Sequence, residues 1–356
     1  MKKKAPLKPG STIGILGGGQ LGRMMAIAAA QMRYRCIAYS PEKEIVARDV
    51  CADTFQNAWT DGAAMAAFAQ ACDVVTWEFE NVPVEPLAPL GDLLAPHPRA
   101  LETAQDRLNE KRFVEALGGT PAPFATVDNR ADLAAAVERI GAPGILKTRG
   151  EGYDGKGQWR VASGHQVDGV SIPAQPAIYE GFVDFEAEFS VILARGADGE
   201  MVFWDSTHNV HEGGMLATSA LPAPAIVGQQ VEQARELSRQ VADALGYVGV
   251  LTLEFFATAR GPIFNEMAPR VHNSGHWTIE GAVTSQFQNH IRAICGLPLG
   301  STRSIAPGMV MRNIVGKDAN TAHTALCDPD TQLHLYGKAR ALDGRKMGHT
   351  TTLLFG

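Results

Sequence analysis

The stretch from Gly249 to Met267 reads GVLTLEFFATARGPIFNEM and contains two glutamates inside apolar runs. Its β-branched and aromatic residues predict two strands, 249–256 and 261–267, joined by a short connection. Antiparallel pairing across this connection would bring Glu254 and Glu266 close together, and two close buried carboxylates need a partner or a metal ion. The stretch therefore predicts a hairpin that carries a cation site.

Magnesium is the cation that this pair fits best. Mg²⁺ takes few protein oxygen ligands when the phosphates of a nucleotide complete its octahedron, and Asn265 adds a neutral oxygen beside Glu266. The alternative is a pair of carboxylates on the solvent-facing side of an amphipathic hairpin. The phenylalanines around both glutamates favour the buried arrangement.

A polar segment, Pro269-Arg-Val-His-Asn-Ser-Gly-His276, follows the second acidic strand. Its proline and glycine predict a loop, and a loop of this composition beside a metal suits the recognition of an oxyanion. His272 and His276 are separated by Asn-Ser-Gly, which argues against a helical metal pair. His208 and His211 lack an obvious third ligand, so no zinc site is expected.

A glycine-dense loop, Gly150–Gly157, lies between the predicted strands 145–148 and 158–161. We interpret it as the flap of a hairpin whose glycines let the backbone approach phosphates. No G-K-[ST] ending follows, so it is not a Walker A motif. A flexible tip without function is the alternative, but Lys147 beside the loop then becomes a candidate phosphate ligand.

The N-terminal turn Gly17-x-Gly19-x-x-Gly22 lies between a predicted strand and a helix, as in dinucleotide-binding domains. A dinucleotide site also needs a carboxylate at the end of the second strand, where Ser40-Pro41 stands instead. We therefore favour a phosphate-bearing substrate over NAD, with a tight structural turn as the third interpretation.

The order of predicted elements indicates an α/β domain followed by α+β units. Strands at 11–16, 34–39 and 73–77 alternate with helices, which predicts a parallel sheet. We expect an N-terminal Rossmann-like domain over 1–104 and a second domain over 105–300 with a lid at about 120–185. The lid is predicted to contain a strand at 124–127 and a helix at 130–140. A small β-rich cap is expected over 301–356.

Composition excludes several classes of protein. The chain has 356 residues, 45% hydrophobic, with a formal net charge of -6, so two or three globular domains without a nucleic-acid partner are expected. No run approaches the roughly 20 apolar residues of a membrane span, and no signal peptide is recognisable. Five cysteines without a C-x-x-C pair suit the reducing cytoplasm.

Together, these motifs resemble the ATP-grasp superfamily and, within it, the family of N5-carboxyaminoimidazole ribonucleotide synthetases. The resemblance covers nearly the whole chain, and its family-specific parts are Gly152–Gln158 and Arg270–Gly275. It implies an ATP-grasp fold with a pre-ATP-grasp domain, ATP and Mg²⁺ as cofactors, and a homodimer. The approach to the flap, Arg149-Gly150-Glu151, is more acidic than the family pattern leads us to expect.

The resemblance also implies roles for residues at matching positions. Contacts with ATP are implied for Arg107, Lys147, Gly152, Tyr153, Asp154, Gly155, Lys156, Gly157, Gln158, Glu180, Gly181, Phe182, Val183, Glu188, His211, Asn265 and Glu266. Magnesium ligands are implied at Glu254 and Glu266. Contacts with aminoimidazole ribonucleotide and bicarbonate are implied for Gln20, Glu78, Tyr153, Asp154, Lys156, Arg270, His272, Asn273, Lys338 and Arg345. Catalytic roles are expected for Asp154, Lys156 and Arg270.

The implied activity is the ATP- and bicarbonate-dependent carboxylation of 5-aminoimidazole ribonucleotide through carboxyphosphate, in purine biosynthesis. Three alternatives stay open. They are another acyl-phosphate ligase, such as a formate-using transformylase or an amino-acid ligase; an NAD-dependent oxidoreductase; and a catalytically silent nucleotide-binding module.

Overall fold

The computed structural model describes residues 5–150, 157–164 and 169–355, which form three β-sheets with helices packed on them. Among the helices of these residues, none is both long enough and apolar enough to cross a lipid bilayer.

The first sheet contains four parallel strands, β1 (Thr12–Leu16), β2 (Arg35–Tyr39), β3 (Asp53–Phe55) and β4 (Val74–Trp77), in the order β3-β2-β1-β4. The helices α1 (Gln20–Gln31) and α2 (Gly62–Gln70) connect them. β1, β2 and β4 are buried along nearly their whole length, as expected for a parallel sheet covered on both faces.

This parallel sheet confirms the predicted α/β organisation, but the predicted number of strands is wrong. Asp53–Phe55 was overlooked because it has only three residues, begins with aspartate and is only partly buried. The strand predicted over 73–77 is the fourth strand along the chain, not the third.

The second sheet is small and antiparallel, and it carries the glycine-dense loop. Its strands are β5 (Phe124–Val127), β6 (Gly144–Thr148), β7 (Gln158–Val161) and β8 (Ala177–Gly181), in the order β5-β8-β6-β7. Helix α5 (Arg130–Ile140) packs on this sheet through Leu133 and Val137. The hairpin of β6 and β7 confirms that residues 150–157 connect two antiparallel strands.

The third sheet is the largest. Its strands are β9 (Ala187–Arg195), β10 (Met201–Phe203), β11 (His208–Glu212), β12 (Met215–Leu221), β13 (Gly249–Thr258), β14 (Gly261–Ala268), β15 (Gly308–Val315), β16 (Thr331–Leu335) and β17 (Lys346–Leu354). Eight of them follow the order β14-β13-β9-β11-β12-β15-β17-β16, while β10 pairs with β9. The predicted C-terminal cap is β-rich, but its three strands extend this sheet through the pairing of β12 with β15.

The remaining helices are α3 (Arg99–Ala104), α4 (Arg107–Ala116), α6 (Ala225–Ala244), α7 (Thr278–Gly281) and α8 (Gln286–Ile294). Helix α4 begins after Asp106, whose carboxylate accepts the N–H groups of Leu108 and Asn109, a standard N-cap arrangement. One face of α4 contacts β14, and this contact places its charged side chains beside the acidic hairpin.

Candidate active site

The two glutamates of the hairpin face each other. Glu254 on β13 and Glu266 on β14 are directly paired in the antiparallel register, so their side chains leave the same face of the sheet. The side chain of Glu254 is 10% exposed, whereas that of Glu266 is 45% exposed. The predicted convergence of the two carboxylates is therefore confirmed.

The electrostatics of this pair fit a cation. Burial, followed by the negative charge of Glu266, raises the pKa of Glu254 from 4.5 to about 7. Burial acts in the same direction on Glu266, but Arg107 and Lys147 outweigh it and lower the pKa of that carboxyl group. A divalent ion would relieve the repulsion between the two carboxylates.

Such an ion would need ligands from elsewhere. Within the described ranges, no three His, Cys, Asp or Glu side chains converge as a metal cluster. Mg²⁺ is commonly bound by one or two carboxylates of the protein, while the phosphates of a nucleotide and water fill its other coordination positions. The pair Glu254 and Glu266 fits this arrangement.

Helix α4 supplies cations to the acidic strand. The Nη1 atom of Arg107 lies 3.2 Å from Oε2 of Glu266. The ammonium group of Lys111 donates a hydrogen bond of 3.2 Å to the main-chain oxygen of Asn265. Both cations are held within the protein, since Arg107 is 9% exposed and Lys111 is 1% exposed.

Glu110 completes this face of α4. Its carboxylate accepts the main-chain N–H of Met267 at 2.6 Å. Burial raises its pKa to about 8, against the opposing effect of Lys111. Sequence analysis missed Glu110 and Lys111, although a signal was available. Together with Arg107 and Val114 they occupy the i, i+3, i+4, i+7 positions of a buried helix stripe, where charges are unusual.

Lys147 lies at the end of β6 and pairs with Glu180 of β8. Its Nζ atom is 2.9 Å from Oε2 of Glu180, while the Nζ atom of Lys111 is 3.3 Å from Oε1 of the same carboxylate. Burial would raise the pKa of Glu180, but Lys147 and then Lys111 lower it to about 2. Glu180 is thus a buried carboxylate shared by two lysines.

The segment after Glu180 makes main-chain bonds to the small sheet's loops. Gly181 donates its N–H to Pro123 at 2.8 Å, and Phe182 donates its N–H to Pro143 at 3.0 Å. The N–H of Phe182 is therefore already used, although Phe182 and Val183 were predicted to contact the nucleotide. The Phe182 side chain is 51% exposed.

Glu188 and His211 form a pair on neighbouring strands β9 and β11. Oε2 of Glu188 lies 2.6 Å from Nδ1 of His211. Burial would lower the pKa of His211, but the hydrogen bond to Glu188 and the charge of Glu254 raise it. The two residues predicted near the ribose therefore contact each other.

The loop after β14 brings Arg270 and His272 to the same face. Arg270 forms an ion pair with Glu80, a residue that sequence analysis did not single out. Nε2 of His272 lies 3.5 Å from Oε1 of Glu254. The amide nitrogen and oxygen of the Asn273 side chain are buried and have no hydrogen-bond partner within the described residues, so both atoms are available to a ligand or to water.

His272 is held by a chain of buried polar groups. Its Nδ1 atom lies 2.8 Å from the Ser274 hydroxyl oxygen, which lies 2.9 Å from the hydroxyl oxygen of Ser190. Asn209 donates from its amide to Ser190 at 2.7 Å. The main chain of His272 is fixed on both sides by the Gln286 amide, at 2.8 and 2.6 Å.

The glycine turn at the N-terminus contains a carboxylate of the protein itself. Glu78, at the end of β4, accepts the N–H groups of Gly19 at 2.7 Å and Gly22 at 3.3 Å. These two N–H groups are therefore not free to bind the phosphate that was expected at this turn. Glu78 itself faces the cavity next to Gln20, where both were predicted to meet substrate.

The C-terminal loop contributes two further cations. Burial, and next the charge of Arg345, lowers the pKa of Lys338 to about 8. Arg345 lies 2.6 Å from the carboxylate of Glu44, which also accepts the N–H of Ala339 at 2.6 Å. Glu44 comes from the N-terminal domain and was not singled out by sequence analysis.

A cavity of about 720 Å³ lies between the glycine turn, the acidic hairpin and the C-terminal loop. Ten of the predicted site residues line it: Gln20, Glu78, Arg107, Glu254, Glu266, Arg270, His272, Asn273, Lys338 and Arg345. Other predicted residues of the described chain lie outside its lining: Lys147, Gly157, Gln158, Glu180, Gly181, Phe182, Val183, Glu188, His211 and Asn265. Gly152, Tyr153, Asp154, Gly155 and Lys156 lie outside the described residues, as does Glu151.

Three family models match successive parts of the chain. A ribonucleotide synthetase preATP-grasp domain matches residues 10–105, and an ATP-grasp domain matches residues 112–287. A phosphoribosylaminoimidazole carboxylase C-terminal domain matches residues 309–354. These matches confirm the predicted fold class.

Relatives resemble the chain along its full length. An N5-carboxyaminoimidazole ribonucleotide synthase of Brucella melitensis is 48% identical over 98% of both chains. The crystal structure of the synthetase from Thermus thermophilus is 43% identical, with a TM-score of 0.90, and the match covers 97% of this chain and 94% of that one. A synthase from Aspergillus clavatus, in complex with ADP and 5-aminoimidazole ribonucleotide, is 29% identical with a TM-score of 0.88, over 98% of this chain and 94% of that one.

Proposed function

The chain belongs to the N5-carboxyaminoimidazole ribonucleotide synthase family of ATP-grasp enzymes, and from this membership we infer its reaction. It is an ATP-dependent carbon–nitrogen ligase of purine biosynthesis. It carboxylates the amine of 5-aminoimidazole ribonucleotide with bicarbonate and releases ADP and phosphate. ATP and Mg²⁺ are the cofactors of this reaction.

The observation that carries this function is the carboxylate pair beside a group of cations. Glu254 and Glu266 face each other, and Arg107 lies against Glu266. Mg²⁺ held by these two carboxylates would neutralise charge on the phosphates of ATP when bound. Asn265, adjacent to Glu266, would place its amide near the same phosphates.

We assign the binding of the phosphates to Arg107 and Lys147, with Gly157 and Gln158 at the stem of the flap. The stem is well defined, because Thr148 donates its N–H to Gly157 at 2.9 Å and Lys147 pairs with Gln158 across the hairpin. Next to the stem, Nη2 of Arg149 lies 2.6 Å from Oδ2 of Asp106, which ties this end of β6 to the start of α4. The family resemblance assigns residues 152–156 to the same phosphates.

We assign the nucleoside to the end of β8 and the beginning of β9. The main chain of residues 180–183 would bind adenine, and Glu188 would bind the ribose hydroxyls. The contact between Glu188 and His211 supports this assignment, because it fixes the orientation of the Glu188 carboxylate. The bonded N–H of Phe182 leaves the neighbouring Val183 as the better donor to the base.

We assign aminoimidazole ribonucleotide to the 720 Å³ cavity. Lys338 and Arg345 would bind its phosphate with Gln20, and Glu78 would lie near the ribose or base. The unpartnered amide of Asn273 supports a polar ligand at the opposite wall, next to Arg270 and His272.

In the reaction, a bicarbonate oxygen attacks the γ-phosphorus of ATP, and the bond to the β,γ-bridging oxygen breaks to give carboxyphosphate and ADP. Arg270 and Lys147 stabilise the negative charge of the transferring group by position and electrostatics. The amine nitrogen then attacks the carboxyl carbon, phosphate leaves, and the nitrogen loses a proton. We propose Asp154 for that proton and Lys156 as a further cation, on a loop that excludes water from the fragile intermediate.

Three further features remain proposals. We propose the domain division 1–104, 105–300 and 301–356, with the lid at about 120–185, supported by the separate first sheet and the small second sheet. We propose a homodimer in the cytoplasm. We also propose that its partners are small molecules only, without a nucleic-acid or membrane partner, in line with the net charge of -6.

The test is phosphate release from ATP by the purified full chain. We expect release to require bicarbonate, aminoimidazole ribonucleotide and Mg²⁺ together, and formate not to replace bicarbonate. Release with formate would indicate a transformylase, and binding of ATP without any release would indicate a silent nucleotide-binding module.

A further inference from the structure

Glu180 is a buried carboxylate with two lysine partners that differ in their surroundings. Lys147 and Lys111 lie 2.9 and 3.3 Å from its two oxygens. The side chains of Glu180 and Lys147 are 6% and 10% exposed, whereas that of Lys111 is 1% exposed. The proposed function uses Lys147 for phosphates but gives no role to Lys111.

Lys111 is fixed in place by groups of the protein. Its ammonium donates to the main-chain oxygen of Asn265 at 3.2 Å and lies 6.0 Å from the centre of the Phe264 ring. It cannot move toward a nucleotide without breaking these contacts. Lys147, in contrast, stands at the end of β6 beside the glycine-dense loop.

Nucleotide binding changes the charge balance at Glu180. When the ammonium of Lys147 turns to a phosphate oxygen, Glu180 loses all or part of its closer partner. A buried carboxylate left without a cation is strongly unfavourable, so it would hold Lys147 back and repel the phosphates. If a second cation stays beside Glu180, the carboxylate remains paired when Lys147 moves to a phosphate.

We propose that Lys111 is a positioning residue for nucleotide binding, as the permanent counter-ion of Glu180 that frees Lys147 for the phosphates. The inference deepens the proposed function and rests on it. The same ammonium joins β8, which carries Glu180, to β14, which carries Glu266. Lys111 therefore connects the strand assigned to adenine with the strand assigned to the metal ion.

The experiment compares ADP with adenosine, which lacks phosphates, by titration calorimetry on the full chain. Lys111→Met is expected to weaken ADP binding about tenfold, the size of one lost charge-assisted interaction. Adenosine binding should stay unchanged, because Lys147 does not contact the nucleoside. The exposed Lys317 gives the matched control, Lys317→Met, with unchanged binding of both ligands.

Equal weakening of ADP and adenosine would mean that Lys111 only maintains the structure, and unchanged ADP binding would mean that it has no role. Either result overturns the inference. If the wild-type chain itself binds no ADP, the proposed function fails instead.

A charge-matched double variant protects the test against misfolding. Lys111→Met combined with Glu180→Gln removes the buried carboxylate that would otherwise hold Lys147 back from the phosphates, and it should recover most of the ADP affinity lost in Lys111→Met. A double variant that binds ADP as weakly as Lys111→Met would refute the proposed role.

Discussion

Glu254 and Glu266 stand opposite each other on β13 and β14, one buried and one half exposed, so the metal-free protein contains a repulsion that a bound cation would remove. The two carboxylates are expected to be needed for activity, but their repulsion lowers the stability of the metal-free protein.

Glu254→Gln should abolish activity and stabilise the metal-free protein. The amide keeps the size of the side chain but removes the buried charge that Glu266 opposes. We expect a loss of at least about a hundredfold in kcat, as for other electrostatic groups at a transition state, and a higher unfolding midpoint at pH 8 without Mg²⁺. A lower midpoint would contradict the repulsion described above.

The pH dependence of stability should carry the signature of Glu254. Its folded pKa of about 7 lies above the ordinary 4.5, so the folded state keeps a proton that the unfolded chain has lost. Stability from this group is therefore present at low pH and is lost as the pH rises from about 4.5 to 7. Buried neutral histidines such as His276 act in the opposite direction. The difference between wild type and Glu254→Gln in urea unfolding isolates the glutamate and should grow between pH 5.5 and pH 8.

Ser190→Ala should lower kcat without weakening ADP binding. The change removes the acceptor of both the Asn209 amide and the Ser274 hydroxyl group, so the chain of hydrogen bonds that orients the His272 ring beside Glu254 is broken. We expect a destabilisation of about 1–3 kcal/mol from the unpaired buried groups. The control is Ser238→Ala, because the hydroxyl group of this buried serine donates to Ala234 of its own helix α6 at 2.7 Å. Equal kinetic effects of both variants would show that His272 is not positioned in this way.

Glu44→Gln should weaken the ribonucleotide selectively. The carboxylate holds Arg345 at 2.6 Å and the N–H of Ala339 at 2.6 Å, and these contacts order the loop that faces the substrate phosphate. We expect the KM for aminoimidazole ribonucleotide to rise about three- to tenfold, as for a charge-assisted bond, with the KM for ATP unchanged. Glu236→Gln on the surface of α6 is the matched control. A parallel rise in both KM values would argue against the assignment of Arg345.

Gly17→Ala should disturb the glycine turn. Gly17 has a φ of 106°, and an added Cβ would approach Oε1 of Glu78 to 2.6 Å. We expect a loss of about 1–3 kcal/mol in stability from the strained backbone, together with weaker ribonucleotide binding because Glu78 is displaced. Gly62→Ala, where a Cβ meets no atom within 4 Å, should be tolerated. Equal stability of both variants would show that the turn tolerates a side chain.

Sequence patterns predicted the long and strongly patterned elements well. Strand β5 and helix α5 have the predicted bounds, and the hairpin of β13 and β14 pairs its glutamates as expected. These elements are specified locally, by burial period and capping residues. Strand β3 gives no such signal, because three part-buried residues have no readable period.

Partners that come from distant parts of the chain could not be predicted in the same way. Glu78 and Gly19 are 59 residues apart, and no local pattern indicates that the glutamate fills the turn. Glu44 and Arg345 are 301 residues apart. Such contacts depend on how the sheets assemble, whereas the buried charges of α4 were readable from helical spacing and were overlooked.

The strands at the end of the chain continue the same sheet that holds the two glutamates. A protein cut before β15 would therefore not lose a detachable module but would uncover the hydrogen-bonding edge of β12, a surface prone to aggregation. Fusion partners are better attached at either terminus than inserted near residue 305. Strands β15, β16 and β17 should therefore be kept together with the rest of the third sheet when the protein is engineered.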